Sequence, residues 1–238
     1  MLVELGFQFI ERCARDPDAR SRVEDFRATM RDMGFHGWAC GAWAGVGKNR
    51  RHRYFFIDWP ADWLALYNAN NWVEHDLLPI EARRRVVPFL WSELDKSKLT
   101  PGQQALVDAG LAYGWRDAFA VPVHGPASLQ GLITMATRTD LSLSPRERAV
   151  LEVMARTVWE LCRTSADFGM SAPAPIHLSA REVECLQWAA AGKSDRDIAK
   201  LLGIKPATAH FHIEQAKRRL KAKSRVEAVA IGVLHGLL

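Results

Sequence analysis

Trp63 and Tyr67 stand four residues apart, Asp76 follows, and Trp91 lies in the run Pro88-Phe89-Leu90-Trp91-Ser92. On a helix, positions i and i+4 share a face, so an indole N–H and a phenol O–H would be presented in one direction, with an anionic acceptor close by. A small ligand carrying two carbonyls and one amide N–H matches that set of two donors and one acceptor. Taken singly, each aromatic reads more readily as a core side chain with its polar tip satisfied. The combination is what points to a binding pocket. Catalysis is poorly supported. The sequence has no Gly-x-Ser-x-Gly elbow and no histidines clustered at hydrolytic metal spacing, and His210 and His212, at i and i+2 of a helix, point nearly opposite ways. Cys13, Cys40, Cys162 and Cys185 show neither paired nor metal-like spacing, which predicts buried or inert thiols in a reducing compartment.

A second kind of chemistry is written into the C-terminal sixty residues. Ser179-x-x-Glu182 and Ser224-x-x-Glu227 have the form in which a serine and a glutamate three residues on satisfy each other's orphan backbone donors. Ser194-x-x-Asp197 repeats it with a shorter acid. Gly203 interrupts the apolar face of Ile198, Leu201 and Leu202, and Pro206 sits where a first-turn proline loses no hydrogen bond, so the pattern is helix, short turn, helix. From Pro206 to Leu220, Ala209, Ile213, Ala216 and Leu220 form a narrow inner stripe, while Ala207, His210, Phe211, Glu214 and Arg218 face outward. That suits a recognition helix, whose outer residues meet base edges and whose ends meet phosphates. The charge distribution supports this reading over an ordinary solvated face. Residues from 176 onward carry eleven Lys and Arg against six Asp and Glu, which accounts for the whole chain's net +5. A basic unit of this kind is expected to neutralise a polyanion. The candidate DNA-contacting residues are Lys205, Thr208, His210, Phe211, Glu214, Lys217 and Arg218.

The elements that must position the pocket lie upstream. Residues 5–14 and 21–33 read as helices, 37–44 and 53–59 as strands around a Gly- and Arg-bearing turn, and 61–70 as a helix followed by a less regular stretch to Trp91. Thr100-Pro101-Gly102-Gln103 opens another helix, residues 118–123 and 131–137 make two more strands, and Ser144-Pro145-Arg146-Glu147 caps a long helix to about Arg163. Strands set between runs of helices predict an α+β fold: an N-terminal α-β-α sandwich with an antiparallel sheet, plus a C-terminal four-helix helix-turn-helix. A phosphorylated receiver domain would begin with a strand and alternate strand and helix five times, which this chain does not do. Residues 166–177, rich in small residues and proline, read as a linker between units at 1–165 and 178–238. No run approaches the roughly 18 to 20 apolar residues of a membrane span, and no signal peptide is recognised, so a cytoplasmic bacterial location is expected.

Residues 178–238 resemble the DNA-binding domain of LuxR-type transcription regulators in Arg181-Glu182, Leu186, Gly192-Lys193-Ser194, Ile198-Ala199, Thr208, His212 and Arg225. Ala209 stands where that family usually has valine, and His210 where lysine is common. Upstream, the Trp63, Tyr67, Asp76 and Trp91 set resembles the family's acyl-homoserine-lactone domain, extending the likeness over roughly residues 20 to 165. The resemblance implies that Trp63 donates to the lactone carbonyl, Asp76 accepts from the amide N–H, Tyr67 donates to the acyl carbonyl and Trp91 packs on the lactone ring. It also implies a ligand-facing hydroxyl at Thr134, an acyl chamber lined by Trp59 and Trp72, and two departures: Leu77 where proline is usual and Ala118 where glycine is usual. Trp43 and Trp115 are expected to narrow the chamber, favouring a short branched or aryl acyl group. The function implied is quorum sensing: a transcription factor that needs no cofactor, binds the autoinducer and acts as a homodimer on palindromic double-stranded DNA, with RNA polymerase as a further partner. The alternative is a regulator of the same fold with no lactone or with a host-derived ligand.

Overall fold

Two helices open the chain, α1 (Leu2–Arg15) and α2 (Ala19–Asp32), the second capped by the Asp18 carboxylate, which accepts from Ser21 N at 2.7 Å. In this computed structural model, residues 1–16, 18–44, 51–125, 129–165 and 177–238 are described. They fall into two compact units, one up to residue 165 and one from 177. The linker expected over 166–177 lies, up to residue 176, outside the described residues, as does the turn expected between the first two strands.

In the first unit, β1 (Gly37–Ala44), β2 (Arg51–Asp58), α3 (Ala61–Ala69), α4 (Leu77–Ala82) and β3 (Phe89–Leu90) follow in order. After them come α5 (Pro101–Tyr113), β4 (Asp117–His124), β5 (Gln130–Thr137) and α6 (Pro145–Thr164). The strands form one antiparallel sheet in the order β2-β1-β5-β4-β3, the α-β-α sandwich expected. Thr100 and Ser144 cap α5 and α6 reciprocally with Gln103 and Glu147, each with proline in the first turn, as the sequence predicts. The short α4 and β3 occupy the stretch that reads as irregular; six and two residues are too few for a periodicity to register.

Strand alternation divides the sheet into a solid face and a hollow one. Phe119, Val121, Ile133 and Met135 point to one side, fully buried against Phe9, Phe26 and Met30 of α1 and α2 and Leu151, Met154 and Val158 of α6. Each such side chain contributes about 1.5 to 3 kcal/mol by leaving water, so this side anchors the unit. The intervening positions are small: Ala39 and Gly41 on β1, Ala118 and Ala120 on β4, Thr134 and Ala136 on β5. Beneath α3, α4 and α5 those residues leave space. A bulge between Cys40 and Gly41 shifts the register so that Tyr54, not Phe55, stands opposite Gly41 on the hollow side.

The second unit holds α7 (Ala180–Ala190), α8 (Asp195–Leu202), α9 (Pro206–Leu220) and α10 (Arg225–Leu234). Ser179 with Glu182 and Ser194 with Asp197 form the reciprocal caps expected. At Ser224 half of the box changes: Glu227 N donates to Ser224 Oγ at 3.1 Å, but the Glu227 carboxylate takes Lys223 N instead. Gly203 ends α8 in the left-handed region, at φ 66°, where glycine carries no Cβ penalty. Ala209, Ile213, Ala216 and Leu220 are all buried, as the stripe predicts. Ile213 packs with Cys185 and Ile198, and Leu220 with Leu186 and Ala228. No helix among the described residues is long and apolar enough to cross a membrane.

Candidate functional site

The hollow face carries a cavity of about 110 Å³. From α3 and the residues leading into it come Trp59, Trp63 and Tyr67; from the start of α4, Asp76, Leu77 and Leu78; from the turn after β3, Trp91. The helix α5 adds Leu106, Val107 and Gly110, and the sheet adds Ala118, Thr134 and Ala136. A second recess of about 40 Å³ shares Trp59, Asp76, Leu78 and Thr134 and is closed by Trp43, Tyr54 and Leu132. Seven of the eight sequence-nominated ligand residues thus line this space: Trp59, Trp63, Tyr67, Asp76, Trp91, Ala118 and Thr134. Trp72 lines neither recess. After Asn71, which turns the chain through the left-handed region, its ring packs behind Trp63 at 5.7 Å and edge-on to Tyr67 at 6.3 Å, so it supports the wall instead of forming it.

The polar groups are held by the helices themselves. Asp76 is the N-cap of α4, its Oδ1 accepting from Leu78 N at 2.9 Å. Its Oδ2 accepts from the Tyr67 hydroxyl at 2.9 Å. The single phenol hydrogen is therefore directed at Asp76 in this structure, where the resemblance assigns it to the acyl carbonyl of a ligand. A carboxylate has lone pairs left after two such bonds, so Asp76 remains an acceptor. Burial raises the Asp76 carboxyl above its usual range, with the bonds from Leu78 N and Tyr67 opposing the shift. The Tyr67 phenol is pushed up as well, first by burial and then by the Asp76 charge. Two buried polar atoms in the wall, Thr134 Oγ1 and Trp115 Nε1, find no hydrogen-bond partner among the described residues.

Asp117 escaped the sequence reading. At the head of β4 it accepts from Ser92 N at 3.0 Å, Ser92 Oγ at 2.7 Å and Ala118 N at 2.8 Å. It thereby fixes the turn that carries Trp91. Lys96 completes the clamp, its ammonium 4.0 Å from the centre of the Trp91 ring and donating to Trp91 O at 2.8 Å. The available signal was a lone acid opening the otherwise apolar strand Ala118-Phe119-Ala120-Val121.

In the second unit, Lys205 is the N-cap residue of α9, and Pro206, Ala207, His210, Phe211 and Arg218 are exposed along it. Phe211, an apolar ring, is 56% exposed. Thr208 is half-buried. Glu214 accepts from Lys217 Nζ at 2.7 Å. His210 Nδ1 lies 2.8 Å from Asp195 Oδ2, and the other oxygen of Asp195 holds Arg225, which also donates to Lys193 O. Arg225 and Arg219 are thus engaged within the unit, the latter with His177 O and Glu182. The outer face keeps Arg218 at its C-terminal end and Lys205 at its N-terminal end.

A hollow sensor unit and a helix-turn-helix unit on one chain define a ligand-responsive DNA-binding regulator. The family described as "Autoinducer binding domain" matches residues 18–161, and "Bacterial regulatory proteins, luxR family" matches residues 177–231. The quorum sensing-dependent transcriptional regulator RpaR of Rhodopseudomonas palustris is 33% identical over 98% of this chain and 94% of its own length. Transcriptional activator protein AhyR of Aeromonas hydrophila is 30% identical over 87% of this chain and 81% of its own. The crystal structure of Escherichia coli SdiA shares the fold at TM-score 0.73 and 17% identity, covering 98% of this chain and 97% of that one. The chain belongs to the LuxR family of autoinducer-binding transcription regulators, a family of regulators and not of enzymes.

Proposed function

We propose that the sensor unit, residues 1–165, buries an N-acyl homoserine lactone and that the unit at 178–238, joined by the linker 166–177, binds a palindromic promoter element as a homodimer. The observation that carries the reading is the convergence of Trp63, Asp76, Trp91 and Thr134 on one mainly apolar space. Trp63 donates to the lactone carbonyl, Asp76 accepts from the amide N–H, Trp91 packs on the lactone ring and Thr134 donates to the acyl carbonyl. Tyr67 orients Asp76 through its hydrogen bond. A ligand that fills the space stabilises the folded sensor by mass action, about 2.7 kcal/mol at a hundred times Kd, and with it the dimer that sets the spacing of two recognition helices. Double-stranded DNA, RNA polymerase and a bacterial cytoplasmic setting complete the picture.

The acyl group is compact. Small residues make the cavity, but the indoles of Trp59 and Trp115 line it and that of Trp43 lines the adjoining recess, so flat or branched groups fit better than a long flexible chain. Thermal melting of the full chain with butanoyl-, isovaleryl-, cinnamoyl- and 3-oxododecanoyl-homoserine lactone at equal concentration tests this. A branched or aryl lactone is expected to give the largest shift. The largest shift from the twelve-carbon ligand would mean that the acyl chain leaves by another route.

On the DNA side, Arg218→Ala is expected to weaken specific and random duplexes alike and to flatten the salt dependence, by about 0.9 in log–log slope for each phosphate that Arg218 neutralises. Changes at His210 or Glu214 are expected to alter base preference instead. Binding to both duplexes at several salt concentrations separates the two, and a loss confined to the specific site would reassign Arg218 to base reading.

A further inference from the structure

We infer that His210 reads its half-site as a hydrogen-bond acceptor, taking an exocyclic amino hydrogen of adenine or cytosine in the major groove, with Asp195 as the positioning residue that fixes it in that role. The inference rests on the DNA-binding reading above and names the base chemistry that this face takes. His210 stands on the outward side of α9 between Ala207 and Glu214, its side chain 63% exposed. Its ring is nevertheless tied to the neighbouring helix, because Nδ1 lies 2.8 Å from Oδ2 of Asp195, the first residue of α8. Asp195 is held in turn. Its Oδ1 accepts from the Arg225 guanidinium at the start of α10, and Arg225 also donates to Lys193 O just ahead of α8. Residues of α8 and α10 thus combine to orient one imidazole on α9.

The partner decides the tautomer. A carboxylate paired with a guanidinium offers only acceptors, so the ring atom that faces it carries the hydrogen. With that hydrogen on Nδ1, the uncharged imidazole keeps a lone pair on Nε2. The two ring nitrogens point apart, so a ring whose Nδ1 is turned to Asp195 carries Nε2 away from α8. In the major groove, hydrogens for such an acceptor come from adenine N6 and cytosine N4, whereas guanine and thymine present acceptors along that edge. The neighbours agree with this polarity. Glu214 is a carboxylate, Lys217 donates to it at 2.7 Å, and Phe211 is an exposed apolar ring. The middle of the outward face therefore offers acceptors and one apolar surface, the complement of base amino groups and not of the guanine edge.

The experiment uses the full chain, with the lactones of the melting series present, and selects from randomised double-stranded DNA at about pH 8, where an ordinary imidazole is uncharged. Wild type is compared with His210→Ala, Asp195→Ala and a variant carrying Nδ1-methylhistidine at position 210. The methyl group removes the hydrogen given to Asp195 while keeping the Nε2 acceptor and the Asp195–Arg225 pair. The base pair whose preference His210→Ala erases is then altered in the selected duplex in two ways. Removing its exocyclic amino group, with purine for adenine or 2-pyrimidinone for cytosine, is expected to weaken wild type about 3- to 10-fold relative to His210→Ala, the range of one neutral hydrogen bond. Removing the purine N7 acceptor, with the 7-deaza base, is expected to leave wild type unchanged. The amino-group effect is expected to shrink in Asp195→Ala and in the Nδ1-methyl variant, and the latter should keep wild-type affinity for random duplexes, a result that loss of folding would not give. Sensitivity to N7 in place of the amino group, no base pair altered by His210→Ala, or an undiminished amino-group effect in the Nδ1-methyl variant overturns the inference and leaves the DNA-binding reading standing. Wild type that enriches no sequence overturns both.

Discussion

Asp76→Asn is expected to weaken lactone binding about 10- to 150-fold, equivalent to about 1.5 to 3 kcal/mol, the range of a hydrogen bond to a charged partner. Asp76 caps α4 and accepts from Tyr67, so the substitution tests charge and not position: asparagine caps helices equally well, and its amide can still meet the Tyr67 oxygen. Ligand-free stability is expected to move the other way. Burial raises the folded-state carboxyl above its unfolded value of 3.8. The stability it contributes is therefore fully present below the unfolded value and lost as pH rises through the folded one, leaving an ionised group at neutral pH as a net cost. Asp76→Asn removes that cost, so the empty protein should melt at the same temperature or higher. In wild type, affinity should fall as pH drops through the raised value, because the amide N–H needs the carboxylate; in the variant that dependence should vanish. Calorimetric titration between neutral and acid pH checks both. Unchanged affinity in the variant would place the ligand amide elsewhere.

Ile213→Ala is expected to remove most of the DNA-binding unit's stability. Ile213 is 2% exposed and packs beneath α9 with Cys185, Ile198 and Ala209. Truncating such a side chain costs about 2 to 5 kcal/mol. A unit of this size, at about 0.05 to 0.15 kcal/mol per residue, holds only about 3 to 9 kcal/mol in all. Loss of the α9 orientation should abolish operator binding while lactone titration keeps its stoichiometry. The two readouts on one preparation, with melting followed by circular dichroism, check the result. Retained operator affinity would show that α9 keeps its place without the Ile213 side chain.

The C-terminal unit was legible almost residue by residue because its signals are local. Serine caps, a glycine stop, a first-turn proline and a 3.6-residue stripe each act within one turn, and all four inner residues of α9 are buried as expected. The sensor was legible as a fold, since capped helices and alternating strands are local too. Its cavity was not. That Ala39 lies on one face with Ala118, Ala120 and Ala136 depends on the pairing of strands more than eighty-five residues apart, which no local pattern specifies. The same holds for Asp117, whose partner Ser92 is 25 residues away, and for Trp72, whose ring an αL turn at Asn71 sends behind the pocket wall. Tyr67 lines the cavity, but the direction of its hydroxyl hydrogen follows only once α4 brings Asp76 to it. Helix spacing predicts which side chains share a face, and non-local packing decides which polar tips remain for a ligand.

The most direct measurement of the central claim is mass spectrometry of small molecules extracted from the full chain after purification from cells that synthesise a mixture of acyl-homoserine lactones, with Asp76→Asn purified alongside. The account predicts about one lactone per wild-type chain, enriched in branched or aryl acyl groups, and strong depletion in the variant. Wild type that carries no lactone, or equal loading of wild type and variant, would contradict it.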